Sequence, residues 1–188
     1  MTPAIEHGFL EEPLPEAVVL DADFVISVLH EGEEYHQNCV DFAARLFEED
    51  VPVVHSQLLR LEFMSAWQKV VRRHGVPETI LPWQGRLLTD PLEERSALYK
   101  LGDEFLSDFL SLFERYEVRL SARLQDRSRS LMATYNLKPM DACLVACAFQ
   151  TEVVHIASLD ADLRKVDGLH LWNDHIPAKR QARRRARR

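Results

Sequence analysis

The chain has 188 residues, of which 46% are hydrophobic and 28% charged, with six glycines and nine prolines. That composition supplies one compact domain with its own core and excludes a low-complexity or collagen-like chain. The formal charge of −7 hides an asymmetry: seven bases and no acid follow Asp174, so a +7 tail is joined to a body of about −14.

Along the chain, residues 1–16 are acidic and carry prolines, without the basic-then-apolar pattern of a secretory signal. The longest apolar run, Ala142 to Phe149, is far short of the ~20 residues of a membrane span. The expected localisation is cytoplasmic, with no membrane partner. Ala17–Leu20 reads as a buried strand ending at Asp21, followed by helical patterns over 24–29 and 33–49. Residues 52–55 read as a second strand, and Ser56 as the N-cap of a helix that Gly75 stops near His74. Prolines and Gly85 make 76–92 loop-like, and 93–113 is again helical. A third strand is expected at 117–120 and a polar helix at 121–135. Pro139 opens a strongly apolar helix to Phe149. Strands at 153–157 and 169–172 complete the pattern.

Short, continuously apolar strands alternating with helices predict a parallel sheet covered on both faces. Ligands of such sheets bind where the strands end. Asp21 and Asp23 directly follow the first strand, and Asp160 and Asp162 follow the strand at 153–157, after Ser158. Glu62 lies beside the apolar stripe Leu59–Phe63–Trp67–Val70, and Asp141 in the first turn of the apolar helix. Taken singly, an acid after a strand can simply cap a helix, and Asp141 could answer the helix dipole. Gathered together they would repel, by about 4 kcal/mol for two charges 4 Å apart at an effective dielectric of 20. A hard divalent cation removes that penalty, and an oxygen-only ligand set favours Mg²⁺ or Mn²⁺. Such a cation serves in-line phosphoryl displacement. The three cysteines form no CxxC pair and are read as buried thiols. His30, His36, His55 and His155 are scattered and are not read as ligands: His36 suits a hydrogen bond within its helix pair, and His55 and His155 are read as packed strand residues.

The order Asp21-Ala22-Asp23, Glu62, Pro139-Met140-Asp141-Ala142, then Ser158-Leu159-Asp160-Ala161-Asp162-Leu163 resembles the PIN-domain family, which includes the toxins of VapBC-type toxin–antitoxin systems. Asp23 stands where Asn or Ser is commoner, Ser158 replaces Thr, and Leu163 replaces Phe. The resemblance implies a three-layer α/β/α sandwich with a mainly parallel sheet over residues 17–175, with a helical insertion at about 76–116. Residues 1–16 would be an N-terminal extension and 176–188 a basic, disordered tail. It further implies a metal-dependent endoribonuclease leaving 5′-phosphate and 3′-hydroxyl ends. Asp21, Glu62, Asp141 and Asp160 would be its catalytic metal ligands and Asp162 a further acid, with Asp23 and Ser158 in support. RNA is the implied substrate, an antitoxin and a second copy of the chain the implied protein partners.

Two other readings fit parts of the pattern. Val18-Val19-Leu20-Asp21-Ala22-Asp23 also resembles the opening of haloacid-dehalogenase-like phosphatases, which would make Asp21 a nucleophile but leave Glu62 and Asp141 without a role. A catalytically silent PIN scaffold is the other. Arg183, Arg184 and Arg185 would bind nucleic-acid phosphates without sequence preference.

Overall fold

The computed structural model describes residues 3–75 and 91–174. Its centre is one six-stranded sheet in the order β1-β6-β5-β2-β3-β4, with every neighbouring pair parallel. The strands are β1 (Ile5–Gly8), β2 (Val18–Leu20), β3 (Val53–Ser56), β4 (Arg115–Val118), β5 (His155–Ala157) and β6 (His170–Asn173). Among the described residues six α-helices cover them: α1 (Ala22–Leu29), α2 (His36–Glu48), α3 (Leu59–His74), α4 (Pro91–Ser111), α5 (Ala122–Tyr135) and α6 (Pro139–Thr151). The expected three-layer α/β/α architecture is present.

Alternation along the strands splits the core in two. Val18, Leu20, Val53, Ala157 and Trp172 pack with Phe24, Phe42, Phe63 and Trp67 on the α1–α4 side. Val19, Val54, Ile156 and Leu171 face the opposite way, onto Leu124, Leu131 and the α6 residues Leu144 to Ala148. β2 and β3 are buried at every position, as strands covered on both faces must be. From β2 the chain winds outward through β3 to β4, then crosses back to β5 and β6 on the other side. The crevice between β2 and β5 is therefore the topological switch point, where such sheets bind ligands.

Three local differences from the expected elements have physical causes. Residues 5–8 of the N-terminal extension form an edge strand: Ile5 pairs with His170 and His7 with Trp172. The Arg45 guanidinium of α2 anchors the segment just after this strand, donating to the carbonyl oxygens of Phe9 and Glu11 and pairing with Glu12. Ser56 ends β3 rather than capping α3. Its Oγ accepts from the Leu58 N–H at 3.2 Å, and α3 starts at Leu59 without a side-chain cap. β4 begins two residues earlier than expected, at Arg115, because its burial is one-sided and weak, leaving no apolar run to read. The stretch 76–116 thus holds α4 and the first residues of β4, while 76–90 lies outside the described residues.

α4 is seated on α3 through a close approach at Gly102. A Cβ there would fall 2.7 Å from Trp67 Cδ1, and Trp67 is fully buried, donating from its indole to the Leu98 carbonyl at 3.2 Å. Alanine normally gains about 1 kcal/mol over glycine inside a helix, whereas overpacking of this kind costs about 1–3 kcal/mol. Gly102→Ala is therefore expected to destabilise the protein, visible as a lower urea midpoint with an unchanged slope.

Candidate active site

The switch-point crevice opens into a cleft of about 440 Å³ lined by Asp21, Asp23, Glu62, Lys69, Met140, Asp141 and Asp160, among others. Each acid arrives there for a local reason. Asp21 is the first residue after β2 and the N-cap of α1, where its Oδ1 accepts from the Ala22 N–H at 2.7 Å. Its other oxygen takes the Ser158 hydroxyl at 2.6 Å from the neighbouring strand end. Asp23 reaches across the same gap and accepts the Leu159 N–H with both oxygens, at 3.2 and 3.1 Å. Ser158 is itself buried and accepts the Asp160 N–H at 3.0 Å. Asp160 caps the 3-10 turn 161–165 through the Asp162 N–H at 2.7 Å. The two D-x-D segments are thereby laced together along the β2–β5 crevice.

The remaining acids come from helix starts. Glu62 sits in the first turn of α3 and Asp141 in the first turn of α6, whose Pro139 takes an early helical position. Carboxylate oxygens of Asp141, Asp160 and Asp162 lie within 4.8 Å of one another. Asp21 and Glu62 stand on the cleft wall beside that triangle.

The electrostatics are those of a site short of positive charge. Burial, and after it the charges of Asp141 and Asp160, push the Asp21 carboxyl up to about 6 against the Ser158 and Ala22 hydrogen bonds, which pull it down. Asp23 is raised well above the usual carboxylate range, by burial first and then by Asp21. Glu62 is pushed up to about 7 by burial, then by Asp21 and Asp141. Asp141 is raised by burial and by Asp160, with Lys138 opposing. One oxygen of Asp141 is buried with no hydrogen-bond partner. A buried, unpartnered carboxylate oxygen in a raised-pKa cluster is unfavourable as it stands.

Asp162 differs. It is exposed at the rim, where Lys138 Nζ lies 3.3 Å away and Lys165 Nζ 3.6 Å, and these ammonium groups hold its carboxyl below the usual range. Lys138 also contacts Asp160 at 3.5 Å. Two cations beside the acids, Lys69 in the cleft and Lys138 against Asp160 and Asp162, are not expected in the metal site from sequence. Lys138 directly precedes the Pro139 motif and Lys69 lies seven residues after Glu62 on the same helix row, which is the signal that could have found them. Arg183, Arg184 and Arg185 lie outside the described residues. Cys39 and Cys147 are buried free thiols, each pushed up to about 12 chiefly by burial. Among the described residues no helix is long and apolar enough to cross a membrane.

The PIN domain family model matches residues 18–169. No curated protein matches the chain in sequence. Among solved structures, the fold is similar to that of FitAcB from Neisseria gonorrhoeae (17% identity, TM-score 0.54, covering 85% of this chain and 99% of that one). It is similar to VapC20 of Mycobacterium tuberculosis, a sarcin-ricin loop cleaving toxin (14% identity, TM-score 0.52, 78% and 92% covered). A toxin–antitoxin complex from Klebsiella pneumoniae matches at 15% identity and TM-score 0.50, with 85% and 98% covered. At such identities these likenesses speak for the fold alone. The family match sets aside the phosphatase reading, which left Glu62 and Asp141 without a role although both line the cleft with Asp21. With the family model matching most of its length, and the parallel α/β/α fold in place, the chain belongs to the PIN domain family.

Proposed function

We propose that this protein is a divalent-metal-dependent endoribonuclease, with Asp21, Glu62, Asp141 and Asp160 as metal ligands and Asp162 at the rim. The observation that carries this reading is the buried, unpartnered Asp141 oxygen inside a cleft of acids whose carboxyls are driven upward by burial and by one another. An oxygen-only donor set suits a hard cation such as Mg²⁺ or Mn²⁺ and gives thiol- or imidazole-seeking metals little to hold. When bound, the cation would supply charge stabilisation for a phosphodiester undergoing in-line displacement and would lower the pKa of water.

The chain's own residues prepare that chemistry. Ser158 and Ala22 hold the Asp21 carboxylate in one orientation, leaving its remaining lone pairs to the cleft. Asp23 spends both oxygens on the Leu159 N–H, so its work is to lock the β5 loop against α1. Lys138 neutralises Asp160 and Asp162 from the solvent side. Were a cation held by these acids, Lys138 would be free to pair with a phosphate oxygen of the substrate. Lys138→Ala is accordingly expected to tighten Mn²⁺ binding a few-fold and raise the KM for RNA, read by calorimetry and steady-state kinetics.

RNA as substrate rests on family membership and on the cleft's chemistry. The likeness of the fold to a sarcin-ricin loop cleaving toxin and to a toxin–antitoxin complex supports a toxin role, with an antitoxin as protein partner. Self-association and a cytoplasmic location belong to the same reading. The test is cleavage of structured and single-stranded RNA by the purified chain in Mg²⁺, Mn²⁺ or EDTA, beside p-nitrophenyl phosphate. Metal-dependent RNA cutting with no monoester turnover is the expected result. Intact RNA under all conditions, with metal bound, would point to a silent scaffold instead.

A further inference from the structure

Three of the chain's eight histidines meet away from the acidic cleft. His7 comes from β1, His155 from the first position of β5 and His170 from the first position of β6. The acids stand beyond the carboxyl ends of β2 and β5. Two of the trio instead stand where their strands begin, so the cluster lies towards the opposite edge of the sheet. His7 and His170 also fall outside the stretch 18–169 that the family model matches. Register puts the trio on one face: Ile5 pairs with His170 and His7 with Trp172, while His155 pairs directly with His170.

The spacing is that of ligands. One nitrogen from each ring lies within 4.8 Å of the others, and His7 Nε2 is 2.9 Å from His170 Nδ1. Ring centroids are 4.5 Å apart for His155 and His170, 5.1 Å for His7 and His170, and 6.1 Å for His7 and His155. Imidazoles radiating from a tetrahedral ion at zinc–nitrogen distance would have centroids about 5.2 Å apart and nitrogens about 3.3 Å apart. The rings thus need only small rotations to converge on one ion. The surroundings are also suitable. Glu11 Oε2 lies 3.5 Å from His7 Nδ1, the carboxylate partner that fixes a ligand histidine's tautomer and turns its Nε2 lone pair inward. Burial, with His170 and His7 adding to it, pushes the His155 imidazolium down to about 4, so this ring is a neutral donor at physiological pH.

We infer that His7, His155 and His170 form a second metal site, for a borderline transition dication of the Zn²⁺ class, which pins β1 to β5 and β6. Imidazole donors select such ions over Mg²⁺, so the two ends of the sheet would take different metals. His155 Nδ1 now accepts the Trp172 indole N–H at 3.0 Å, and Trp172 stacks on His7 with centroids 4.7 Å apart. Ligation through His155 exchanges that indole bond for a coordinate bond, which makes Trp172 fluorescence a reporter of occupancy. The cross-link would join residues 163 positions apart and so restrict the unfolded chain most effectively.

The experiment is titration of the full chain with Co²⁺ and then Zn²⁺, following visible absorption, tryptophan fluorescence and melting temperature. One equivalent of Co²⁺ is expected to give the strong visible bands of tetrahedral coordination, displaced by Zn²⁺, with a rise in melting temperature. His170→Gln and, separately, His7→Gln should each weaken binding by more than the about 10- to 100-fold that loss of an outer-shell partner costs, while leaving Mn²⁺-supported RNA cleavage unchanged. Asp141→Asn should do the reverse. His7→Gln lies on an edge strand and serves should His170→Gln fail to fold. Weak octahedral Co²⁺ spectra, or strong bands that survive both histidine substitutions, would overturn the proposal, as would bands lost in Asp141→Asn alone.

Discussion

Asp141→Asn is expected to abolish metal-dependent RNA cleavage, by about a thousandfold or more, while the folded protein becomes more stable in EDTA. The first half rests on ligand chemistry. An amide has one oxygen and no charge, and the several kcal/mol that a dication contributes to the transition state correspond to three or more powers of ten in rate. The second half rests on the orphaned oxygen. Removing a half-buried, like-charged carboxylate from beside Asp160 relieves desolvation and repulsion in the metal-free protein. Asp21→Asn should behave alike, because its carboxyl is likewise lifted by burial and by the Asp141 and Asp160 charges. Asp162→Asn should cost only about tenfold in rate, since Lys138 and Lys165 already balance that exposed group. Cleavage rates with melting curves in EDTA check all three. A variant that loses both activity and stability would indicate a structural acid instead.

Acidification from pH 8 to about 6 should stabilise the metal-free protein, against the usual behaviour of carboxylate-rich surfaces. Glu62, ordinarily 4.5, titrates near 7 in the fold, and Asp21, ordinarily 3.8, near 6. A carboxyl raised by folding binds protons more tightly in the native state. Its contribution is complete below the unfolded value and is lost as pH rises through the folded one. Over pH 8 to 6 these two groups contribute about 1–2 kcal/mol, Glu62 being discounted for its partial exposure. For a chain of this size that corresponds to about 3–6 °C in melting temperature. Below pH 6 the rise should become shallower rather than stop, because His155, ordinarily 6.5, is lowered to about 4 by burial and opposes part of the carboxyl contribution. Saturating Mg²⁺ or Mn²⁺ should flatten the profile, as bound cations hold the same carboxylates ionised. Differential scanning at four pH values, with and without metal, reads the effect. A melting temperature that climbs steadily from pH 6 to 8 in EDTA would sink this account of the cleft.

Much of this site could be read from sequence because each acid is tied to an element boundary. Asp21 ends an apolar run, Asp160 comes after another, and Asp141 sits behind a helix-opening proline. Those boundaries are marked by composition, and parallel topology brings the strand ends to one side. What pairing alone decides could not be read. β1 is short, half-polar and lies outside any apolar run, so only its ladder with β6 makes it a strand. β4 is exposed at three of its four positions and leaves a similarly faint trace. His155 shows only one imidazole on a strand, and its convergence with His7 and His170 depends on residues up to 163 positions apart.

The bond between the first strand and the last also orders events during synthesis. Ile5 pairs with His170, so β1 emerges from the ribosome with no partner and must wait for nearly the whole chain. β6 can pair with β5 as soon as it appears, but its other edge stays open until β1 returns. During synthesis β1 cannot dock before β6 has emerged, and an N-terminal fusion or nascent-chain contact that delays it would leave an unpaired parallel edge available to a neighbouring chain.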